Sequence, residues 1–506
     1  MRVQSTALLG LAAVATFALT AAGDARAQNY ITNVPMTAPK APSAPPASIT
    51  MPSATMPRTP TGPSHGGFRP HPGFGLVVPG LMMTLPPPSY GRIVEEPAYE
   101  QPRRPSRPPP QRTTRRGPSG VPPAGERRLV PDEVVIELAN SVRPQQVDAL
   151  QRRHRLTRLE SQTMQLSGTT LYRWRIPDRR SVPAVIRQLE ADGMIASAQP
   201  NYLYRLQQSG GPGDAAQYEL AKLQLPQAHA LARGTDVLVA VIDSGIDATH
   251  PELAGAVAEI YDTLSSPMTP HKHGTGIAGL IAARGKLMGA APAARILAIR
   301  AFDPAGPTAE GTTFNILKGL DWAAANGARV INMSFAGPSD PAISRSLAAA
   351  RKMNIVLVAA AGNAGAKSPP LFPAADPNVI AVTATDADDK LFEASNRGRH
   401  IEVAAPGADL LVAIPDGGYE IASGTSLSAA GVSGIVALML ERNGKLTADS
   451  VRSILRSTAR DLGPKGVDPL FGAGLADAYG AVTADRVPMA APMPRPRIER
   501  TSTRAQ

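Results

Sequence analysis

Four residues in the carboxyl-terminal part of the sequence have types and settings suited to attack on a carbonyl: Asp243, His273, Asn363 and Ser426. Ser426 lies in Ser423-Gly424-Thr425-Ser426-Leu427-Ser428-Ala429-Ala430-Gly431, ahead of the apolar run Ile435 to Leu440. A serine there is a favoured helix N-cap. In the first turn it also faces the positive end of the helix dipole, with its own N–H at hand for an oxyanion. Asn363, in Ala361-Gly362-Asn363-Ala364-Gly365, follows an apolar strand; it is either a turn residue or, through its side-chain NH2, a second oxyanion donor. His273, in His271-Lys272-His273-Gly274-Thr275-Gly276, opens an apolar helix through Ile277, Ala278, Leu280 and Ile281. A lone histidine at such a place is more often a cap or surface residue than a catalyst, a role that His271, outside the helix, fits better. Asp243 ends an apolar strand and precedes Gly245, the setting of an Asx turn, with Asp247 a second acid of the same type further into the loop. Singly each motif is weak; their joint order of Asp, His, Asn and Ser is the informative part.

The elements that must position them read as buried strands over Val237–Ile242, Arg295–Arg300, Val330–Phe335, Ile355–Ala360, Val379–Thr383 and Ile401–Ala405. Helices such as Thr313–Ala325 and Ala342–Met353 lie between them. Near-continuous Val/Ile/Ala runs alternating with helices predict an α/β, doubly wound parallel sheet covered on both faces. In that architecture sites gather at the carboxyl ends of strands, and all four residues fall at a strand end or a helix start.

Upstream, residues 130–206 predict a separate small domain. A strand at Val134–Leu138, a helix at Pro144–His154, strands around Leu156–Leu166 and Thr170–Ile176, a helix at Val182–Ala191 and a strand at Ile195–Gln199 follow one another. The order β-α-β-β-α-β is that of a ferredoxin-like α+β unit. Between Pro35 and Pro123 stand nearly half of the chain's 51 prolines, interleaved with Ser, Thr, Gly and Arg. Such a stretch has little to bury and cannot sustain helices or ladders, so 28–129 reads as a disordered Pro/Arg-rich linker and 485–506 as a disordered tail. Residues 1–27 read as a signal peptide: Arg2, the apolar run Ala7 to Leu19, and Ala25-Arg26-Ala27 before Gln28. Export follows from it, to the periplasm, the cell surface or the medium. The net charge of +11 resides in the flanks, while 212–485 has more acidic than basic groups. The arginine-rich flanks therefore suit an anionic cell surface, and the charge implies no specific nucleic-acid partner. The absence of cysteine excludes disulfides, thiolate catalysis and Cys-ligated metals.

Taken together, the segments around Asp243, His273, Asn363 and Ser426 resemble the subtilisin superfamily over roughly residues 215–484, as do Gly289-Ala290-Ala291-Pro292, Ile331-Asn332-Met333-Ser334 and Phe372-Pro373-Ala374. The resemblance implies a serine endopeptidase acting on protein or peptide substrates. In it Asp243 orients His273, His273 takes the proton of Ser426, and Asn363 with the Ser426 amide binds the oxyanion. It further implies that Ser334, Phe335, Ala336 and Gly337 edge the substrate cleft, that Ala361 and Gly362 lie in the wall of the primary pocket, and that the Phe372–Pro373 bond is cis. The unit at 130–206, ending Gln199-Pro200-Asn201-Tyr202, is similar to that family's inhibitory pro-domain. The implication is a self-processing zymogen cut between Leu206 and Ala216. No cofactor and no metal are implied by the triad; family members often bind calcium, but no dense acidic loop marks a site. The sequence departs from the family at Gly276, Leu427, Ala430 and Gly431, and Ala336 stands where glycine is usual, which predicts crowding of an extended substrate. Two other classes are a silent pseudoprotease that binds peptides in the same cleft, and a Pro/Arg-rich surface-binding protein, which leaves the four residues unexplained.

Overall fold

Residues 119–207, 209–210, 217–305 and 309–484 are described by the computed structural model, with 209–210 described for their backbone alone. The expected signal peptide, the proline-rich segment up to residue 118, the expected tail and most of the expected processing segment lie outside the described residues.

The amino-terminal unit runs β1 (Leu129–Ala139), α1 (Pro144–His154), β2 (Thr157–Met164), β3 (Thr169–Arg175), α2 (Val182–Glu190) and β4 (Ile195–Leu206). Its strands pair antiparallel in the order β2-β3-β1-β4. Alternation along β1 decides what each face covers. Val134, Ile136 and Leu138 pack with Val147, Leu150, Val185, Ile186 and Leu189 of the two helices, whereas Val135 points the other way into a core shared with the large domain. Packing starts earlier than residue 130. Ser119 and Gly120 donate to the Glu190 carboxylate at 2.7–2.9 Å and Val121 packs on the small core, so the end of the 28–129 segment is part of the folded unit. β4 also extends well past Gln199, because its last residues find strand partners in the large domain.

The large domain is built on seven parallel strands in the spatial order 401–406, 380–385, 356–360, 330–333, 238–243, 295–300 and 257–262. The strand Leu238–Asp243 forms first in the chain, and the winding reverses beside it, since 295–300 lies on one side and 330–333 on the other. Asp243 thus ends a strand at the topological switch point, where such sheets leave a crevice. Both faces are covered: Val239 and Val241 join a core with the helices Lys272–Ala282 and Thr425–Arg442, while Ala240 and Ile242 join one with Thr313–Ala325 and Pro341–Lys352. The edge strand Val257–Asp262 and the hairpin Leu410–Ile414 with Gly418–Ser423 add elements beyond the expected ones.

Candidate active site

Three separate elements converge on one point. Asp243 is fully buried at its strand end; its Oδ1 accepts the Ser244 N–H at 2.8 Å and the Ser244 hydroxyl at 3.0 Å. His273 sits in the first turn of Lys272–Ala282, where Gly274 allows close approach: a Cβ there would come within 2.3 Å of the Gly245 carbonyl oxygen. Its Nδ1 lies 2.7 and 2.9 Å from the two Asp243 carboxylate oxygens and its Nε2 3.2 Å from Ser426 Oγ. An ionised carboxylate only accepts, so Nδ1 carries the proton and Nε2 presents its lone pair to the serine. Ser426, in the first turn of Thr425–Arg442, also donates to the Ser334 carbonyl at 2.9 Å, so its one proton has two acceptors in reach.

The helix that carries Ser426 is buried almost from end to end, and small residues allow it. A Cβ on Gly434 would stand 2.4 Å from Ala290 Cβ. The departures at 276 and 431 are filled from outside: Gly276 backs onto Val412, 3.2 Å from where its Cβ would be, and Gly431 onto Leu223.

Asn363 is held by its carbonyl end. Its Oδ1 accepts from the Thr425 N–H at 3.1 Å and the Thr425 hydroxyl at 2.8 Å, which turns the NH2 away from that anchor. Gly362, at φ +108°, makes the preceding turn, and its N–H donates to Thr425 Oγ1 at 3.1 Å. Ala361 and Gly362 both bond to Asn396, through the Ala361 carbonyl at 3.1 Å and the Gly362 carbonyl at 3.0 Å. Thr425 and Ser244 went unassigned in the sequence because their roles are hydrogen bonds to residues distant or adjacent, with no pattern of their own.

The remaining expected residues line the place where β4 enters. Arg205 pairs with Ala336 and Leu206 with Phe335, while the other edge of the same segment pairs with 310–312. Ala336 therefore does not crowd an extended chain: its methyl is accommodated with the backbone in register. The Ser334 carbonyl accepts the Gln207 N–H at 3.3 Å, and Gly337 pairs with Phe372, ahead of a cis Phe372–Pro373 bond. His271, by contrast, is an N-cap: its Nδ1 accepts the His273 N–H at 3.4 Å and lies 2.7 Å from Ser244 Oγ, and burial lowers its pKa. Asp247 accepts from Thr249 in its own loop and from the Asp416 N–H in the turn of the Leu410–Ile414 and Gly418–Ser423 hairpin. No group of three or more His, Cys, Asp or Glu side chains that could hold a metal ion occurs among the described residues.

A carboxylate, an imidazole and a hydroxyl in a buried row form an arrangement for acyl transfer. Comparison with known proteins leads to the same chemistry. The Subtilase family profile matches residues 234–474. Thermitase of Thermoactinomyces vulgaris is 35% identical over 274 residues, 53% of this chain and 95% of thermitase. Subtilisin E of Bacillus subtilis is 33% identical over 288 residues, 55% of this chain and 74% of its own. Among solved structures, fervidolysin of Fervidobacterium pennivorans, described as a keratinolytic enzyme related to subtilisin, superposes with a TM-score of 0.63 at 25% identity; the match covers 74% of this chain and 63% of that one. With one relative matched over nearly its whole length and the row of Asp, His and Ser side chains in place, the chain belongs to the subtilase family and is a subtilisin-like serine peptidase.

Proposed function

We propose that the protein is an exported endopeptidase that cleaves protein or peptide substrates through an acyl-enzyme on Ser426. His273 accepts the Ser426 proton and returns it to the leaving amine, Asp243 holds the imidazole in the required tautomer, and Asn363 with the Ser426 N–H stabilises the oxyanion. The observation that carries this is the His273 ring, bonded to Asp243 on one nitrogen and within reach of Ser426 on the other; the distances suit a general base. The proposed chemistry needs no cofactor. Residues 130–206 act as a ferredoxin-like inhibitory pro-domain of a zymogen, a reading supported by the entry of β4 among strands beside Ser426. Export to the periplasm, the surface or the medium is supported by the apolar run Ala7 to Leu19 and the Ala25-Arg26-Ala27 that follows. The arginine-rich flanks would add contact with an anionic surface.

The test is a serine-directed phosphonylating probe on folded, processed protein. Label is expected on Ser426 and absent from Ser426→Ala. Label on another serine, or none on the wild type, would remove the assignment.

A further inference from the structure

We propose that the self-processing cut falls on the peptide bond that follows Gln207, and that Tyr204 sets this register. The inference rests on the peptidase reading above and names the bond that the active site takes first.

The chain is pinned on both sides of Ser426. Before it, Leu203, Tyr204 and Arg205 pair with Thr312, Gly311 and Glu310, and Arg205 and Leu206 pair with Ala336 and Phe335. The segment is thus the middle strand of three. After it, the backbone of Ser209–Gly210 pairs antiparallel with Ser423 and Ala422, a few residues ahead of Ser426. In sequence, the two paired segments are separated by residues 207 and 208 alone. Gln207 is placed directly by the site: its N–H and the Ser426 hydroxyl donate to the same Ser334 carbonyl, at 3.3 and 2.9 Å. Its side-chain Oε1 accepts the Asn363 N–H at 2.9 Å. The Gln207 residue thereby stands between the nucleophile and the oxyanion loop.

Tyr204 explains why the strand does not slide. It is 1% exposed, its ring meets Phe335 edge-on at 5.8 Å between centroids, and its hydroxyl donates to the Pro338 carbonyl at 3.2 Å. A Cβ on Gly337 would fall 2.3 Å from Tyr204 Cδ1, so the pocket exists because residue 337 is glycine. A slip of one residue turns every side chain to the opposite face. It would place Arg205 or Leu203 in this pocket, stranding a charge there or leaving the Pro338 carbonyl without its donor. Arg205 instead lies outward, on an exposed ion pair with Glu310.

In the step itself, Ser426 Oγ adds to the Gln207 carbonyl carbon as its proton passes to His273 Nε2. The Gln207–Gln208 C–N bond then breaks, and the amine of residue 208 takes that proton. Water next adds to the Gln207 ester, leaving its OH on the Gln207 carboxyl and a proton on Ser426.

The test compares full-length wild type with Ser426→Ala and maps the first products by mass, which tolerates cyclisation of an amino-terminal glutamine. The expected first fragments end at Gln207 and begin at residue 208, in the wild type only. A first cut elsewhere, in protein that labels at Ser426 and hydrolyses added peptide, overturns the bond assignment and leaves the peptidase reading standing. No cut together with no label overturns both. An independent readout uses mature wild-type enzyme and two blocked reporter peptides, Tyr-Arg-Leu-Gln and Ala-Arg-Leu-Gln. Loss of an aromatic side chain from a closed pocket should lower kcat/KM by about 10- to 100-fold. Equal kcat/KM for the two would overturn the role of Tyr204.

Discussion

In the proposed mechanism Asp243 and Asn363 each hold a nitrogen in one orientation, and each can be replaced without emptying a core. Asp243→Asn keeps the shape, but the new NH2 faces His273 Nδ1 and drives the ring proton to Nε2, where no lone pair then remains for Ser426. The expected loss in kcat is about 10⁴-fold with the fold intact; steady-state kinetics alongside a thermal melt checks both halves. For Asn363→Ala the expected loss is about 10²–10³-fold in kcat with KM little changed, because an oxyanion donor acts on the transition state. A large KM change at constant kcat would make Asn363 a cleft-shaping turn residue. Thr425 refines the argument, since its hydroxyl and N–H grip Asn363 Oδ1. Thr425→Val leaves the donor present but loosely aimed, so kcat should fall less than for Asn363→Ala, and Thr425→Ser should restore it. The four residues of the proposed mechanism were legible as candidates in the sequence because each is flanked by glycines and small residues that betray a tight turn. Thr425 and Gln207 were not, because what they do depends on partners 62 and 156 positions away.

Among the elements, the strands buried on both faces were legible as unbroken apolar runs. Those with one wet face were not: Val257–Asp262 carries Glu259 and an Ile260 that is 48% exposed, so neither an apolar run nor strict alternation marks it. The second half of β4 was hidden for another reason, as it contains Pro200 and owes its pairing to strands more than a hundred residues on. The short helix Tyr218–Lys222 holds a conflict that the sequence does not announce. Glu219 is 5% exposed; its Oε1 accepts from Gln217 at 3.0 Å, while Oε2 is buried with no hydrogen-bond partner among the described residues. Burial, partly offset by hydrogen bonds, raises its pKa from 4.5 to about 7. The native state therefore holds a proton that the unfolded chain gives up near pH 4.5, so this group favours folding below that pH and the advantage is lost as pH rises through about 7. Glu219→Gln, in a Ser426→Ala background to prevent self-digestion, should gain on the order of 1–3 kcal/mol above pH 8 and little at pH 4. A gain that is the same at both pH values would show that the charge is not the cause.

At the scale of the whole molecule, the two units are joined by ion pairs, Lys318 with Glu160 at 2.8 Å among them, and by buried amides set against helix starts. Gln199 Oε1 accepts the Ala342 N–H at 3.0 Å, and its NH2 donates to the buried Asp340 carboxylate at 2.6 Å, at the start of Pro341–Lys352. Asn201 Oδ1 accepts the Phe314 N–H at 3.2 Å, at the start of Thr313–Ala325. Both side chains come from β4, the strand that continues to Ser426, so docking of the small unit and occupancy of the cleft are one event. An ion pair of Arg345 with Glu137 at 2.9 Å lies on the same boundary, but its arginine is 44% exposed and solvent screens it. If the small unit stays bound after the chain is cut, activity on an added peptide should lag behind the first cut, and the lag should report how firmly these groups hold. Gln199→Ala takes a donor from the buried Asp340 carboxylate, while the Ala342 N–H keeps Asp340 Oδ1 at 2.9 Å, and a hydrogen bond to a charged group contributes about 1.5–3 kcal/mol. Release should therefore quicken by about 10- to 100-fold, whereas Arg345→Ala, worth at most about 1 kcal/mol, should quicken it by about fivefold or less. Following cleavage on gels and peptide hydrolysis in the same sample gives both clocks. The amide-docking account fails if Arg345→Ala shortens the lag more than Gln199→Ala, or if wild-type activity rises in step with the first cut.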